Sequence, residues 1–300
     1  INDVDWKYQE NKYPSGLKGR LLGKLKNVNY ETKNTEIYKT ETTNELFGAI
    51  GYLAQVDLFK KMRENSSHFL TPKILVRYAP GHMRKETEKT RLNRSNIFTL
   101  DRLNTNKNFE NGLSSTLGFD YEFETSDKKL DFSIAQIINE KENQNMPSSS
   151  SLNQRFSDVI GSSELEINNN IKLNYNFALD QNYKDLNYNE LGASFNLYPI
   201  KFDFNYLQEK EHIGDQEYFR GKVDLVQNKY GLFSAETKRN LITDSAEYYN
   251  LSYEYTNDCL RAGLVYRREF YNDSELEPED SLMFKITLTP FGDINSPSFN

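Results

Sequence analysis

Side chains along this chain change character at every second residue, and that period decides the fold class. Ile200, Phe202, Phe204 and Tyr206 alternate with Lys201, Asp203 and Asn205. Ile171, Leu173, Tyr175, Phe177 and Leu179 alternate with Lys172, Asn174, Ala178 and Asp180. Tyr249–Tyr255, Leu113–Phe123, Leu130–Ile134 and Leu282–Leu288 behave alike. A strand sends neighbouring residues to opposite faces, whereas a helix repeats every ~3.6 residues. Aromatic and β-branched residues dominate the apolar face, as strands prefer.

The connectors add a second pattern. Short ones fall at Thr125–Lys128, Asn168–Asn170, Tyr198–Pro199, Asn228–Gly231 and Thr256–Asp258. Longer polar ones fall at Glu31–Asn44, Gly81–Glu110, Lys141–Ser157, Asp180–Asn187, Gln208–Gln216, Lys238–Asp244 and Asn272–Asp280. From Asn111 onward the two kinds alternate, giving a hairpin repeat of ~25–30 residues. At the usual spanning length of ~9–11 residues the chain holds about 15 strands. The expected fold is all-β, an antiparallel up-and-down transmembrane β-barrel present only in part. Gly81–Glu110 is too long for an ordinary hairpin loop and is expected to fold into the lumen or to carry structure of its own.

Low hydrophobic content (37%) and a mean hydropathy of -0.79 resemble disorder, but 20 Tyr and 19 Phe do not. The longest nearly apolar run, Ala49–Val56, is far short of the ~20 residues of a spanning helix. A barrel strand needs only alternate apolar positions. The net charge of -7 lacks the basic excess of a nucleic-acid binder. The chain opens on Ile1-Asn2-Asp3 without a leader pattern and reads as a piece of a longer precursor.

No cofactor, metal or catalytic residue is expected. His68, His82 and His212 stand far apart without ligand spacing, and no nucleophile-elbow or phosphate-loop pattern occurs. The single cysteine, Cys259, has no internal partner. In outer-membrane barrels short turns face the periplasm and long loops face outside. That orientation puts Asn272–Asp280 outside and the Thr256–Asp258 turn, with Cys259 at its edge, in an oxidising compartment. Cys259 is then a free thiol or the partner of a cysteine elsewhere.

Several segments resemble the LptD family, the lipopolysaccharide-assembly or organic-solvent-tolerance proteins of the outer membrane. Leu70-Thr71-Pro72-Lys73 through Tyr78-Ala79-Pro80 looks like the family's strand before a long loop. Asn96-Ile97-Phe98-Thr99-Leu100-Asp101-Arg102 looks like its "N-x-F … D-R" segment. Ile134-Ala135-Gln136-Ile137, Ser157-Asp158-Val159-Ile160-Gly161, Tyr255-Thr256-Asn257-Asp258-Cys259, Arg261–Arg268 and Phe284–Leu288 follow in family order. Leu260 stands where a second cysteine is common, Ala135 where Gly is common, and Phe109-Glu110-Asn111-Gly112 lacks the family's Asp-Arg pair.

The resemblance implies a non-enzymatic translocon that inserts lipopolysaccharide into the outer leaflet of a Gram-negative outer membrane and releases it sideways through a strand seam. It implies a plug lipoprotein, LptE, and periplasmic bridge proteins that reach the barrel through an N-terminal jellyroll. Residues 1–300 would be the C-terminal barrel portion, without that jellyroll or the early strands. Other partners are outer-membrane lipid and no nucleic acid. A passive porin or solute channel is the alternative, and an outer-membrane enzyme a third reading.

Under this resemblance Cys259 bridges to the N-terminal region; otherwise it is a lone thiol. The last strand, Leu282, Phe284, Ile286, Leu288 and Pro290, borders the seam. Pro290 either weakens that seam or simply ends the strand, and Phe291 is an assembly signal or an interfacial aromatic. Lys172, Lys201, Asp203, Arg261 and Lys285, with Asn174 and Asn205, face the lumen if the apolar face meets lipid. There they contact substrate phosphates or, with both signs mixed, form a hydrated wall.

Overall fold

A computed structural model describes residues 1–33, 42–62, 65–227, 230–270, 279–288 and 292–295. Every regular element among them is a strand. In order they are β1 (Asn2–Lys7), β2 (Asn11–Lys12), β3 (Leu17–Tyr30), β4 (Thr43–Val56), β5 (Leu58–Lys61), β6 (Ser67–Ala79), β7 (Gly112–Glu124), β8 (Lys128–Asn139) and β9 (Val159–Ile167). There follow β10 (Ile171–Leu179), β11 (Leu186–Leu197), β12 (Ile200–Glu209), β13 (Gln216–Val226), β14 (Gly231–Asn240), β15 (Ser245–Thr256), β16 (Leu260–Glu269), β17 (Glu279–Leu288) and β18 (Gly292–Asn295).

β1 and β2 both pair with β3, and β4 and β5 both pair with β6. With β1 and β2 taken as one strand and β4 and β5 as another, the described residues form fifteen long strands and the short β18. The interruption between β4 and β5 has a cause in the sequence. Asp57 lies opposite the Thr71–Pro72 step, and Pro72 has no N–H to give to a ladder.

Two compact units divide the chain. The first is Ile1–Glu164 with Asn176–Asn189 and Glu209–Asp215; the second is Leu165–Tyr175, Glu190–Gln208 and Gln216–Asn300. In the first, antiparallel registers run Lys26↔Phe47, Ile50↔Tyr78, Arg77↔Ser114 and Thr116↔Ile137. In the second they run Val223↔Ala235, Ala235↔Leu251, Leu251↔Tyr266, Leu264↔Phe284 and Ile286↔Ile294. The fold is all-β, antiparallel and up-and-down, as the alternation requires.

The turns follow residue chemistry. Asn168 and Asn169 adopt φ of 51° and 55° between β9 and β10, a conformation that asparagine tolerates and two-residue hairpins need. One connector is shorter than the sequence indicates. Lys238, Arg239 and Asn240 continue β14 and pair with β15, with a shift of register between Lys238 and Arg239, leaving a tight turn in place of the expected Lys238–Asp244 loop. Arg239 reaches Asp244 across that turn at 2.7 Å, so a polar stretch serves as strand.

One face of the strands is apolar and open. Leu46, Ile50, Val76, Tyr78 and Leu117 lie on it in the first unit; Phe202, Phe204, Val223, Leu251, Leu264 and Phe284 lie on it in the second. Leu46 is 67% exposed and Phe284 47%, so this face has no protein cover. An apolar surface of this extent calls for a non-aqueous neighbour. The core of the first unit lies on the opposite face, where Leu22, Val28, Phe47, Ala49, Leu75 and Ala79 pack against Leu100 and Phe109 of the connector between β6 and β7. Hence β4 is apolar on both sides: Ile50 and Tyr52 are open while Phe47, Ala49 and Gly51 are buried.

Candidate functional site

The residues between β6 and β7 lie across the face of the first unit opposite its open apolar side. Charged groups from the strands hold them there. Lys26 of β3, 1% exposed, donates to Asp101 at 2.5 Å and to the Asn108 carbonyl at 3.4 Å. Its ammonium lies 5.5 Å from the Phe109 ring centroid, a favourable place for a cation. Arg77 of β6, equally buried, donates to the carbonyls of Leu100 (2.6 Å) and Glu110. Arg102 clasps both oxygens of the Glu110 carboxylate, one through Nε at 2.7 Å, and reaches Ser114 of β7 at 3.0 Å. Such a bidentate arginine–carboxylate pair fixes geometry as well as charge. At the far edge Arg84 pairs with Glu45 of β4 and lies 5.2 Å from the Tyr30 ring.

Burial and charge compete at the two loop carboxylates. Burial would raise the Glu110 carboxyl, but Arg102 and then Arg77 outweigh it and hold the group below its ordinary value. At Asp101 burial wins, and the carboxyl lies above its ordinary value despite Lys26.

A second buried cluster ties three connectors together. His212 Nε2 is 2.8 Å from Asp158, and its Nδ1 is 3.7 Å from Glu209. Glu209 accepts from Arg91 at 3.0 Å, and Arg91 stacks on Tyr188 at 4.0 Å. Asn187 donates to Asp158 at 2.9 Å, and Ser149 donates to the His212 carbonyl at 3.1 Å. With Asp158 in hydrogen-bond reach of one ring nitrogen and Glu209 3.7 Å from the other, His212 fastens these connectors together. Sequence reasoning missed it because Asp158 and His212 are 54 residues apart. The available signal was Asp158 itself, in a strand entry already noted for its family likeness.

In the second unit the face opposite the apolar one is polar and matched in sign. Lys172 pairs with Glu166 at 3.3 Å, Ser194 donates to Asp203 at 2.6 Å, and Asn205 donates to Glu190 at 3.3 Å. Arg261 pairs with Glu254 at 2.8 Å, and Lys285 stands opposite Gly263. Lys201 is exposed on the same side as Asp203. Arg220 and Tyr248 both donate to Glu236 at 2.7 Å.

Cys259 is exposed in the turn between β15 and β16, where Asn257 Oδ1 accepts its N–H at 3.0 Å. Leu282, Phe284, Ile286 and Leu288 lie on β17, in register with Tyr266, Leu264, Ala262 and Leu260. Pro290 and Phe291 lie outside the described residues. Among the described residues no cluster of three or more His, Cys, Asp or Glu is placed to hold a metal.

Comparison with known families gives one match, to LptD, described as LPS transport system D, over residues 24–232. The chain belongs to the LptD family. The family is one of lipopolysaccharide transport and outer-membrane β-barrels, as the ordered segments from Leu70 to Gly161 imply; the segments from Tyr255 to Leu288 lie beyond the matched residues. The match takes in the Asp101-Arg102 segment and Asp158, and thus both buried clusters. No curated protein matches the chain. Among solved structures, one substituted Rhodopseudomonas blastica porin is similar at a TM-score of 0.38 and 9% identity, covering 91% of this chain and 89% of that one. A triple mutant of the same porin has a TM-score of 0.33 at 9% identity, covering 94% and 97%.

Proposed function

We propose that this LptD-family chain is the C-terminal portion of an outer-membrane translocon barrel that inserts lipopolysaccharide into the outer leaflet of a Gram-negative bacterium. The family match over residues 24–232 carries this reading. The two-faced sheet supports it. The open apolar side suits hydrocarbon, and the polar side, with its matched charges, suits a hydrated lumen. The connector held by Lys26, Arg77 and Arg102 then covers the luminal wall of β3 to β7.

The finer parts of the reading follow the family. The lipid leaves sideways at a seam bordered by the last strand, Leu282–Leu288 and Pro290. A plug lipoprotein, LptE, occupies the lumen, and bridge proteins deliver the lipid through an N-terminal jellyroll. Cys259, exposed at a periplasmic turn, bridges to that region. Lys172, Lys201, Asp203, Arg261 and Lys285 line the hydrated wall. No step is chemical: transport here needs surfaces and openings, not a nucleophile.

Depletion of the protein in its own cells tests the reading. Newly made lipopolysaccharide is expected to disappear from the cell surface and accumulate inside. Unchanged surface lipopolysaccharide, together with solute flux through the reconstituted barrel, would make the protein a porin instead.

A further inference from the structure

Beneath the connector between β6 and β7 lies a cavity of about 170 Å³. Its floor is the face of β6 to β8 that carries Lys73, Asp120, Ser133 and Ala135; its roof is Arg94, Ile97 and Phe98. Arg94 is presented by a fixed turn. The Asn93 carboxamide oxygen accepts from the N–H groups of Ser95 (2.8 Å) and Asn96 (3.2 Å), and Asn96 Oδ1 accepts from the Asn93 N–H at 2.8 Å.

Charge bookkeeping around the cavity leaves one cation over. Lys73 is paired with Asp120 and lies 5.9 Å from the Phe98 ring. Arg94 has no hydrogen bond or ion pair among the described residues, although the other arginines of this connector, Arg84, Arg91 and Arg102, each hold a carboxylate. Arg94 is exposed at the rim of this space and has no carboxylate of its own, and a guanidinium so placed suits a planar or tetrahedral anion. Ser133 adds a buried hydroxyl.

We propose that this cavity is an anion site for a phosphorylated saccharide, with Arg94 and Lys73 as its cationic contacts and Asp120 as the internal competitor that Lys73 leaves when the phosphate enters. The proposal rests on the lipopolysaccharide reading, since a lipopolysaccharide carries phosphorylated sugars. The space takes a phosphoryl group and the first atoms of its sugar, so the site reads the phosphate rather than the whole saccharide.

The test uses the full chain folded in detergent and calorimetric titration with N-acetylglucosamine 1-phosphate, N-acetylglucosamine and inorganic phosphate. The phosphorylated sugar is expected to bind and the neutral sugar not to. Arg94→Ala should weaken binding about ten-fold, and Asp120→Asn should tighten it several-fold by releasing Lys73. A purely structural role for Asp120 would not produce tightening. Equal affinity for the neutral sugar, or unchanged binding in both variants, overturns the site. Inorganic phosphate binding as tightly as the sugar phosphate overturns the saccharide assignment. Surface delivery of lipopolysaccharide, measured in cells carrying Arg94→Ala, separates the two levels. Normal delivery with lost binding removes the site from transport and leaves the translocon standing. Failure of the depletion experiment removes the translocon whatever the titration shows.

Discussion

Lys26 and Asp101 meet at 2.5 Å although 75 residues separate them. A β3 side chain thereby holds the middle of the long connector against the sheet. Removing one member of a buried charge pair leaves the other unpaired in a place water does not reach, at a cost of about 3–5 kcal/mol. Lys26→Met is therefore expected to loosen the connector, with faster proteolytic cleavage at Lys107 and faster amide exchange over residues 97–110. Lys26→Met combined with Asp101→Leu should recover much of the loss, since neither member of the pair is then left as an unpaired buried charge. Equal cleavage rates in wild type and Lys26→Met would show that the pair does not anchor the segment.

The two loop carboxylates give opposite pH dependences. Glu110 is held below its ordinary 4.5, so its contribution is full above that value and fades as pH falls through the lower folded value. Asp101 is raised above its ordinary 3.8, so its contribution is present at lower pH and is lost as pH rises through the folded value. Amide exchange of residues 97–110 followed across acid pH should show both trends. Glu110→Gln is expected to remove the acid-side loss, and Asp101→Asn the loss on the rising side. If Glu110→Gln keeps the wild-type acid profile, the Arg102–Glu110 clasp is not its origin.

Much of this was visible in the sequence, and its limits have physical causes. Alternation marks the strands because every β-strand must present two faces, and one of them here is mostly apolar. The run Ala49–Val56 was noted only as too short for a helix. Its nearly apolar character comes from β4 being open on one side and covered by Leu100 and its neighbours on the other. The Asp101-Arg102 pair stood out by family likeness, but not its partners. Lys26 and Glu110 are reached through tertiary packing, which a local pattern does not encode. The Lys238–Asn240 stretch misled because charged residues read as loop, whereas strand pairing accepts them wherever a cross-strand partner is close.

His212 offers a test of the second cluster. It stands between Asp158 and Glu209; Asn187 also donates to Asp158, and Arg91 and the Ile213 N–H donate to Glu209. His212→Leu fills the space but leaves Asp158 without its 2.8 Å partner. A buried acceptor deprived of its donor costs about 1–3 kcal/mol. The temperature at which the folded form converts to the unfolded form on gel electrophoresis should fall. His212→Leu with Asp158→Asn should fall less than the two single effects combined, because the sites share one contact. Additive losses would mean that the imidazole and the carboxylate act separately.

The proposed bridge from Cys259 to an upstream region can be tested directly on the thiol. In this chain the thiol is exposed in a turn whose conformation is set by Asn257, which accepts from both the Cys259 and the Leu260 N–H groups at 3.0 and 2.7 Å. It is therefore expected to react fully with a maleimide when the 300-residue chain is folded alone. In the protein as made by the cell, a bridge to an upstream cysteine would block the reagent until a reductant is added, and would shift mobility on a non-reducing gel. Closing so long a loop constrains the unfolded chain by a few kcal/mol, on the order of 4 in the chain-entropy account. Reduction should then lower the resistance to unfolding of the whole protein, while Cys259→Ser leaves the isolated chain unchanged. Full maleimide labelling of the unreduced cellular protein would leave Cys259 a free thiol with no structural bond to the upstream region.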